Sequence, residues 1–302
     1  MNLADSAVGG NPAALSTIES DMVQYLYLGR IAYDAALRLQ EELVELRRQE
    51  RIGNVLLLLE HPPVLTLGRH ANRANVLASD ELLASRGVTL HHINRGGDVT
   101  YHGPGQLVGY PIFDLRSLVR PGGGRMGPVD FVRDMEDALI RLCGAYGVRA
   151  GRIAGLTGVW VEGADGTLES NARKIGAIGI HVSRGITSHG FAFNVRTDLR
   201  DFALINPCGI TDKPVTSLER EVSCPATLPG LEMVADEAAR QFGHVFQQPM
   251  LAIESVDALR AEARVSSDGD PAERAFPAED TPLEFPQEIE QLRGGSSRLE
   301  RA

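Results

Sequence analysis

A chain of 302 residues with 43% hydrophobic and 23% charged content is long enough to bury a full core as one domain. Its formal net charge of -10 argues against nucleic acid as the main partner, because phosphate backbones are bound by concentrated Lys and Arg. The longest apolar run, Val55 to Leu59, is far too short for a bilayer, and Cys143, Cys208 and Cys224 form no CxxC pair. A cytoplasmic protein with reduced thiols and no metal site is therefore expected.

Residues 1–21 are small and polar without periodicity and read as a flexible tail. Ala32, Ala35, Leu39, Leu43 and Leu46 then recur at helical spacing. Strands are predicted at Val55 to Glu60, Val64 to Leu67, Val88 to Ile93 and Leu107 to Leu115. A second helix opens at Gly127-Pro128, carries Val129, Val132, Leu139, Cys143 and Tyr146 on one face, and closes at Gly147. Strands follow at Gly158 to Glu162, Arg173 to Val182 and Ile186 to Val195, and the turn signals Asp165-Gly166 and Arg184-Gly185 make this half antiparallel. A third helix runs from Leu231 to Phe246. The order predicts an α+β fold with residues 22–250 as the catalytic domain. Residues 251–302 form an acidic extension expected to be largely disordered: from Ser266 onward, nine acidic and four basic residues carry half of the net charge.

Four segments have the composition of a reactive site. Arg95-Gly-Gly-Asp-Val-Thr-Tyr-His102, running into Gly103-Pro-Gly-Gln106, lets the backbone approach a ligand while polar groups point to it. A plain tight loop between strands is the competing reading, and no Gly-Lys-Ser/Thr follows to make a nucleotide loop. Within this loop Asp98 adds a charge for which Arg95 is a candidate partner. Cys208, in Ile205-Asn-Pro-Cys-Gly-Ile210, lies in an aperiodic segment, whereas Cys143 falls on a helix's apolar face and Cys224 has no partner pattern. A free thiol is mostly protonated at neutral pH, so a nucleophilic Cys208 needs a neighbouring cation or base. The candidates are Lys174, Lys213, His102 and His189. Only two lysines stand among 30 basic residues, and Arg cannot release a proton near neutral pH, so each lysine is notable. Lys174 opens the third segment, Arg173-Lys-Ile-Gly-Ala-Ile-Gly179; Ser188-His-Gly-Phe-Ala-Phe-Asn194 is the fourth.

Taken together and in this order, these segments resemble the lipoyl(octanoyl) transferase family, octanoyl-carrier-protein:protein octanoyltransferases, over roughly Met22 to Phe246. The resemblance implies the fold of biotin and lipoate protein ligases, a mixed, largely antiparallel sheet with a smaller second sheet and flanking helices. It implies that Cys208 carries the acyl group as a thioester and that Lys174 lowers its pKa. The substrate-contacting stretches it implies are Arg95, Gly96, Gly97, Asp98, Val99, Thr100, Tyr101 and His102, then Ala177, Ile178 and Gly179, and Gly190, Phe191 and Ala192. Small residues there leave room for a chain walled by Ile178 and Phe191; burying about six methylenes at ~0.8 kcal/mol each supplies on the order of 5 kcal/mol. The implied donor is octanoyl-acyl carrier protein, and the implied acceptors are lipoyl domains of 2-oxoacid dehydrogenases and the H protein of glycine cleavage. No cofactor and no ATP are needed, because one thioester is exchanged for another, and a monomer is expected. The rival readings are an ATP-dependent lipoate or biotin ligase of the same fold, a cysteine thioesterase, and a silent carrier-binding protein.

Overall fold

In the computed structural model of the protein, residues 22–120, 123–163, 165–168, 171–206 and 213–267 are described. Among them, eleven strands form two sheets. The run Asn54–Glu60 explains the architecture: Leu56 and Leu58 enter one apolar cluster while Val55, Leu57 and Leu59 enter another. A strand with five successive apolar residues, Val55 to Leu59, belongs inside a sheet covered on both faces.

The strands are β1 (Val23–Arg30), β2 (Asn54–Glu60), β3 (Val64–Leu67), β4 (Thr89–His92), β5 (Val99–His102), β6 (Gln106–Ile112), β7 (Ala150–Ile153), β8 (Leu156–Val161), β9 (Arg173–Ser183), β10 (Ile186–Asn194) and β11 (Met250–Ala252). The large sheet runs β11-β1-β2-β6-β10-β9-β8-β7, parallel across β11, β1 and β2 and antiparallel from β2 onward. The small sheet runs β4-β3-β5. The helices are α1 (Tyr33–Arg48), α2 (Asp80–Ser85), α3 (Pro128–Ala145), α4 (Leu218–Glu221), α5 (Leu231–Phe246) and α6 (Val256–Ser267). This is the expected mixed α+β architecture with a second, smaller sheet. No helix among the described residues is long and apolar enough to cross a membrane.

Helices α3 and α5 cover one face of the large sheet, where Phe131 and Phe246 meet Phe113 edge-on at 5.7 Å each. Helix α1 covers the other face, but its buried stripe is Tyr33, Ala36, Leu39, Gln40 and Leu43. Leu39 and Leu43 of the expected stripe are buried there and Leu46 packs against the cluster, whereas Ala32 is the exposed N-cap residue and Tyr33 and Ala36 take the first turn's buried positions. Helix α6 joins the same face through Leu259 and Ala263, both buried, and Arg51 donates to the Ala263 carbonyl at 2.9 Å. Residues 251–267, the described part of the 251–302 extension, are thus folded against the body, in contrast to the disorder expected for them. Strand β11 pairs in parallel with β1, and helix α6 meets α1 through the Arg260–Glu42 ion pair. A third cluster, Leu65, Leu67, Val99, Tyr101 and neighbours, fills the small sheet.

Candidate active site

The β9–β10 hairpin pairs Ala177 with Ala192, Ile178 with Phe191 and Gly179 with Gly190, bringing two of the expected substrate stretches into direct register. Strand alternation then splits them. Phe191 and Ile178 join the cluster under α3 and α5, and Phe191 stacks on Phe242 at 5.4 Å. Ala177 and Ala192 instead line a small cavity together with Thr100, Gln106, Lys174, Ile175, Gly176, Asn194, Phe202 and Val215. Ile178 and Phe191, expected as walls of the acyl channel, therefore serve the helix-side core. The cavity measures about 20 Å³, roughly one water-sized sphere.

The stretch from Arg95 to His102 is divided the same way. Val99 and Tyr101 point into the small-sheet core, where the Tyr101 hydroxyl donates to Asp201 at 2.8 Å and its ring meets Phe202 at 5.5 Å. Thr100 faces the cavity. Arg95 is buried and donates to the Thr66 carbonyl at 2.7 Å and to Thr66 Oγ1 at 2.9 Å. The Gly96 N–H donates to the Ile180 carbonyl at 2.9 Å, and a Cβ on Gly179 would stand 2.8 Å from the Gly96 carbonyl oxygen. Only a glycine lets the loop lie this close to β9. Asp98, for which Arg95 is a candidate partner in the sequence, is held by the Asn72 N–H at 3.1 Å and by the Asn75 side-chain amide.

Behind Thr100 runs a row of hydrogen bonds whose direction is fixed by its ends. Asn194 Nδ2 donates to the Thr216 carbonyl at 2.9 Å, so Asn194 Oδ1 accepts from Gln106 Nε2 at 2.9 Å. Gln106 Oε1 must then accept from His102 Nδ1 at 2.8 Å. His102 is thereby the Nδ1–H tautomer, and burial beside His61 holds its pKa down at about 3. His189, hydrogen-bonded to Asn94 Oδ1 at 2.7 Å, is likewise pushed to about 3 by burial and by Arg95. Both imidazoles are neutral at pH 7. Neither lines the cavity itself; His102 reaches it through Gln106.

Lys174 lies on β9 with its Nζ 5.0 Å above the centroid of Trp160, a cation–π contact. Its backbone is bracketed: the Lys174 N–H donates to the Pro214 carbonyl at 2.8 Å and its own carbonyl accepts from the Thr216 N–H at 2.9 Å. Lys213, the other lysine, is half-buried immediately before Pro214. Cys208 lies outside the described residues. Its flanks are nevertheless fixed, since the Asn206 N–H donates to the Asn75 carbonyl at 2.7 Å on one side and Pro214 meets Lys174 on the other. Phe202 before this segment and Val215 after it both line the cavity. Of the two described cysteines, Cys143 is fully buried with its thiol pKa pushed well up by desolvation, and Cys224 is exposed. Sequence reasoning did not reach Asn194 as a cavity residue, nor Trp160, although it is the chain's one tryptophan.

Residues 32–243 match the family model of the lipoyl protein ligase A/B catalytic domain. The chain is 60% identical over 242 residues to an octanoyltransferase of Acidobacterium capsulatum, covering 80% of this chain and 97% of that protein. It is 51% identical over 238 residues to an octanoyltransferase of Koribacter versatilis, covering 79% and 90%. Among solved structures, a lipoate-protein ligase A bound with ATP superposes with a TM-score of 0.59 at 17% identity, over 82% of this chain and 95% of that one, a likeness of fold alone. With most of its length matched by the family model and by relatives of this identity, the chain belongs to the lipoyl protein ligase A/B catalytic domain family, as an acyltransferase.

Proposed function

We propose that this chain moves an octanoyl group from an acyl carrier protein to a lysine of a lipoyl domain, through a thioester on Cys208. The Cys208 thiolate attacks the carbonyl of the carrier's thioester, and the tetrahedral adduct collapses with loss of the carrier thiolate, which takes up the proton of the Lys174 ammonium and leaves that amine neutral. The acceptor lysine then attacks the acyl-enzyme as a neutral amine. The amide forms, the Cys208 thiolate departs, and the amine's proton passes to Lys174 or solvent. Amide formation from a thioester is downhill, so no nucleotide is consumed.

The observation that carries this reading is the composition of one cavity. It is lined by Lys174, by Ala177 and Ala192, and by Phe202 and Val215 from either side of the segment containing Cys208. Lys174 favours the thiolate by its charge and, unlike arginine, exchanges its proton at ordinary pH. Thr100, Ala177 and Ala192 contact the acyl chain, while the Gly96–Gly97 backbone and Arg95 shape the loop above β9. His102 and His189, being neutral, add no cation to the thiolate. The identity to the two octanoyltransferases supports the eight-carbon acyl group.

Mixing the protein with octanoyl-carrier protein and an unmodified lipoyl domain, without ATP, is expected to put one octanoyl group on the domain, read by intact mass. Modification that instead requires ATP and free octanoate would replace this reading with that of a ligase.

A further inference from the structure

Glu136 on α3 is fully buried, yet its carboxylate is shared three ways: Oε2 accepts from Arg133 Nη1 at 2.7 Å and Arg152 Nε at 2.8 Å, and Oε1 accepts from the Gly158 N–H at 2.9 Å. A buried carboxylate is costly unless donors surround it, and the backbone donor is the informative one. Gly158 stands beside a register slip. Val159 pairs with Gly176 but Trp160 pairs with Lys174, so β9 carries one residue more than β8 between these pairs.

The slip has a consequence for which face Lys174 occupies. Ile175 and Ile178 both pack into the cluster under α3 and α5, although residues three apart on a regular strand point to opposite faces. The extra residue reverses the alternation, so Lys174, which would otherwise share the face of Ile178, shares that of Ala177 and of its pairing partner Trp160, both outside the helix-side cluster, and it borders the cavity. The stem of Lys174 then lies against Gly158. A Cβ at that position would come 2.8 Å from Lys174 Cε and 2.5 Å from the Gly176 carbonyl oxygen, and Gly158 adopts a φ of +123°. Trp160 supports the ammonium from beside the same slip.

We infer that Glu136 is a positioning residue for Lys174: by holding the Gly158 N–H it fixes the irregular β8–β9 pairing that turns the lysine toward the cavity. The inference deepens the proposed function, because it rests on Lys174 supporting the Cys208 thiolate. Arg133 and Arg152 balance the buried charge, and no contact between Glu136 and substrate is required.

The test uses the full chain labelled with ¹³C-lysine. Its two lysines give two side-chain signals, assigned by Lys213→Arg, and the Trp160 ring current displaces the Hε protons of Lys174. Glu136→Leu removes the acceptor; Glu136→Asp keeps the charge for both arginines but falls a methylene short of Gly158, which serves if the leucine variant does not fold. Both are expected to collapse the ring-current displacement and to move the iodoacetamide reactivity profile of Cys208, read in a Cys224→Ser background, about one pH unit upward. Glu136→Gln, which retains an acceptor for Gly158, is expected to restore both readouts. An unmoved Lys174 signal in a folded Glu136→Asp protein overturns the inference. A Lys174→Met protein whose thiol profile is unchanged would instead overturn the role given to the lysine, whatever the Glu136 variants do to its signal.

Discussion

Ile178 and Phe191 pair across the β9–β10 hairpin and turn toward α3 and α5, whereas their immediate neighbours Ala177 and Ala192 pair across it and line the cavity beside Lys174. The two pairs are one residue apart, yet one fastens the sheet to its helices and the other borders the chemistry. A motif stretch read as a unit in sequence is thus two sets of residues interleaved with a period of two. The same division runs through β5, where Val99 and Tyr101 face the small-sheet core and Thr100 faces the cavity.

If this contrast is right, substitutions on the two faces must fail differently. On the chemical side, Lys174→Arg is expected to keep the fold, with an unchanged melting curve, and to lower transfer by roughly 100-fold or more, because a guanidinium cannot relay a proton. On the structural side, Phe191→Ala removes the ring stacked on Phe242 and is expected to cost about 3–5 kcal/mol in denaturant unfolding, leaving the thiol profile of the remaining folded protein unchanged.

Acid sharpens the contrast from another direction. His61, His102 and His189 are held neutral in the fold at pKa values of about 4, 3 and 3, chiefly by burial. Unfolding returns each to the ordinary value near 6.5, so below that pH the unfolded chain binds protons that the native chain does not. Stability is therefore full above about pH 6.5 and declines as pH falls toward 3–4, by up to ~1.4 kcal/mol per pH unit for each histidine. Denaturant titrations at pH 7 and pH 5 read this, and His189→Asn is expected to shallow the slope. Gln106→Leu leaves His102 Nδ1 and Asn194 Oδ1 without partners and is expected to cost about 1–3 kcal/mol, again by unfolding. The smallest stability effect belongs to Ala177→Leu, within about 1 kcal/mol at a half-buried position, while octanoyl transfer drops in steady-state assays as the cavity fills.

What sequence alone disclosed follows the range of the forces involved. The three long helices, the central strands and the hairpin turn at Arg184-Gly185 are written in local periodicity and turn chemistry, and they were legible. Strand β5 hides inside a glycine-rich stretch and β7 has only four residues of no clear pattern, so their pairing depends on partners elsewhere. Lys174 stood out by rarity, and the four motifs pointed to its neighbourhood. The slip at Ile175 was invisible because it is held by Glu136, twenty-two residues before Gly158, through a single backbone hydrogen bond. Likewise the partners of Asp98 lie on the far side of β4, beyond any local signal.

The central claim is that an acyl group rests on Cys208 between donor and acceptor. Incubating the full-length protein with octanoyl-carrier protein and no acceptor, then measuring intact mass, tests it most directly. The account predicts a gain of one octanoyl group, released by hydroxylamine, mapped to the peptide containing Cys208 and absent from Cys208→Ser. An unchanged mass in a preparation that still transfers octanoyl groups to a lipoyl domain would contradict it.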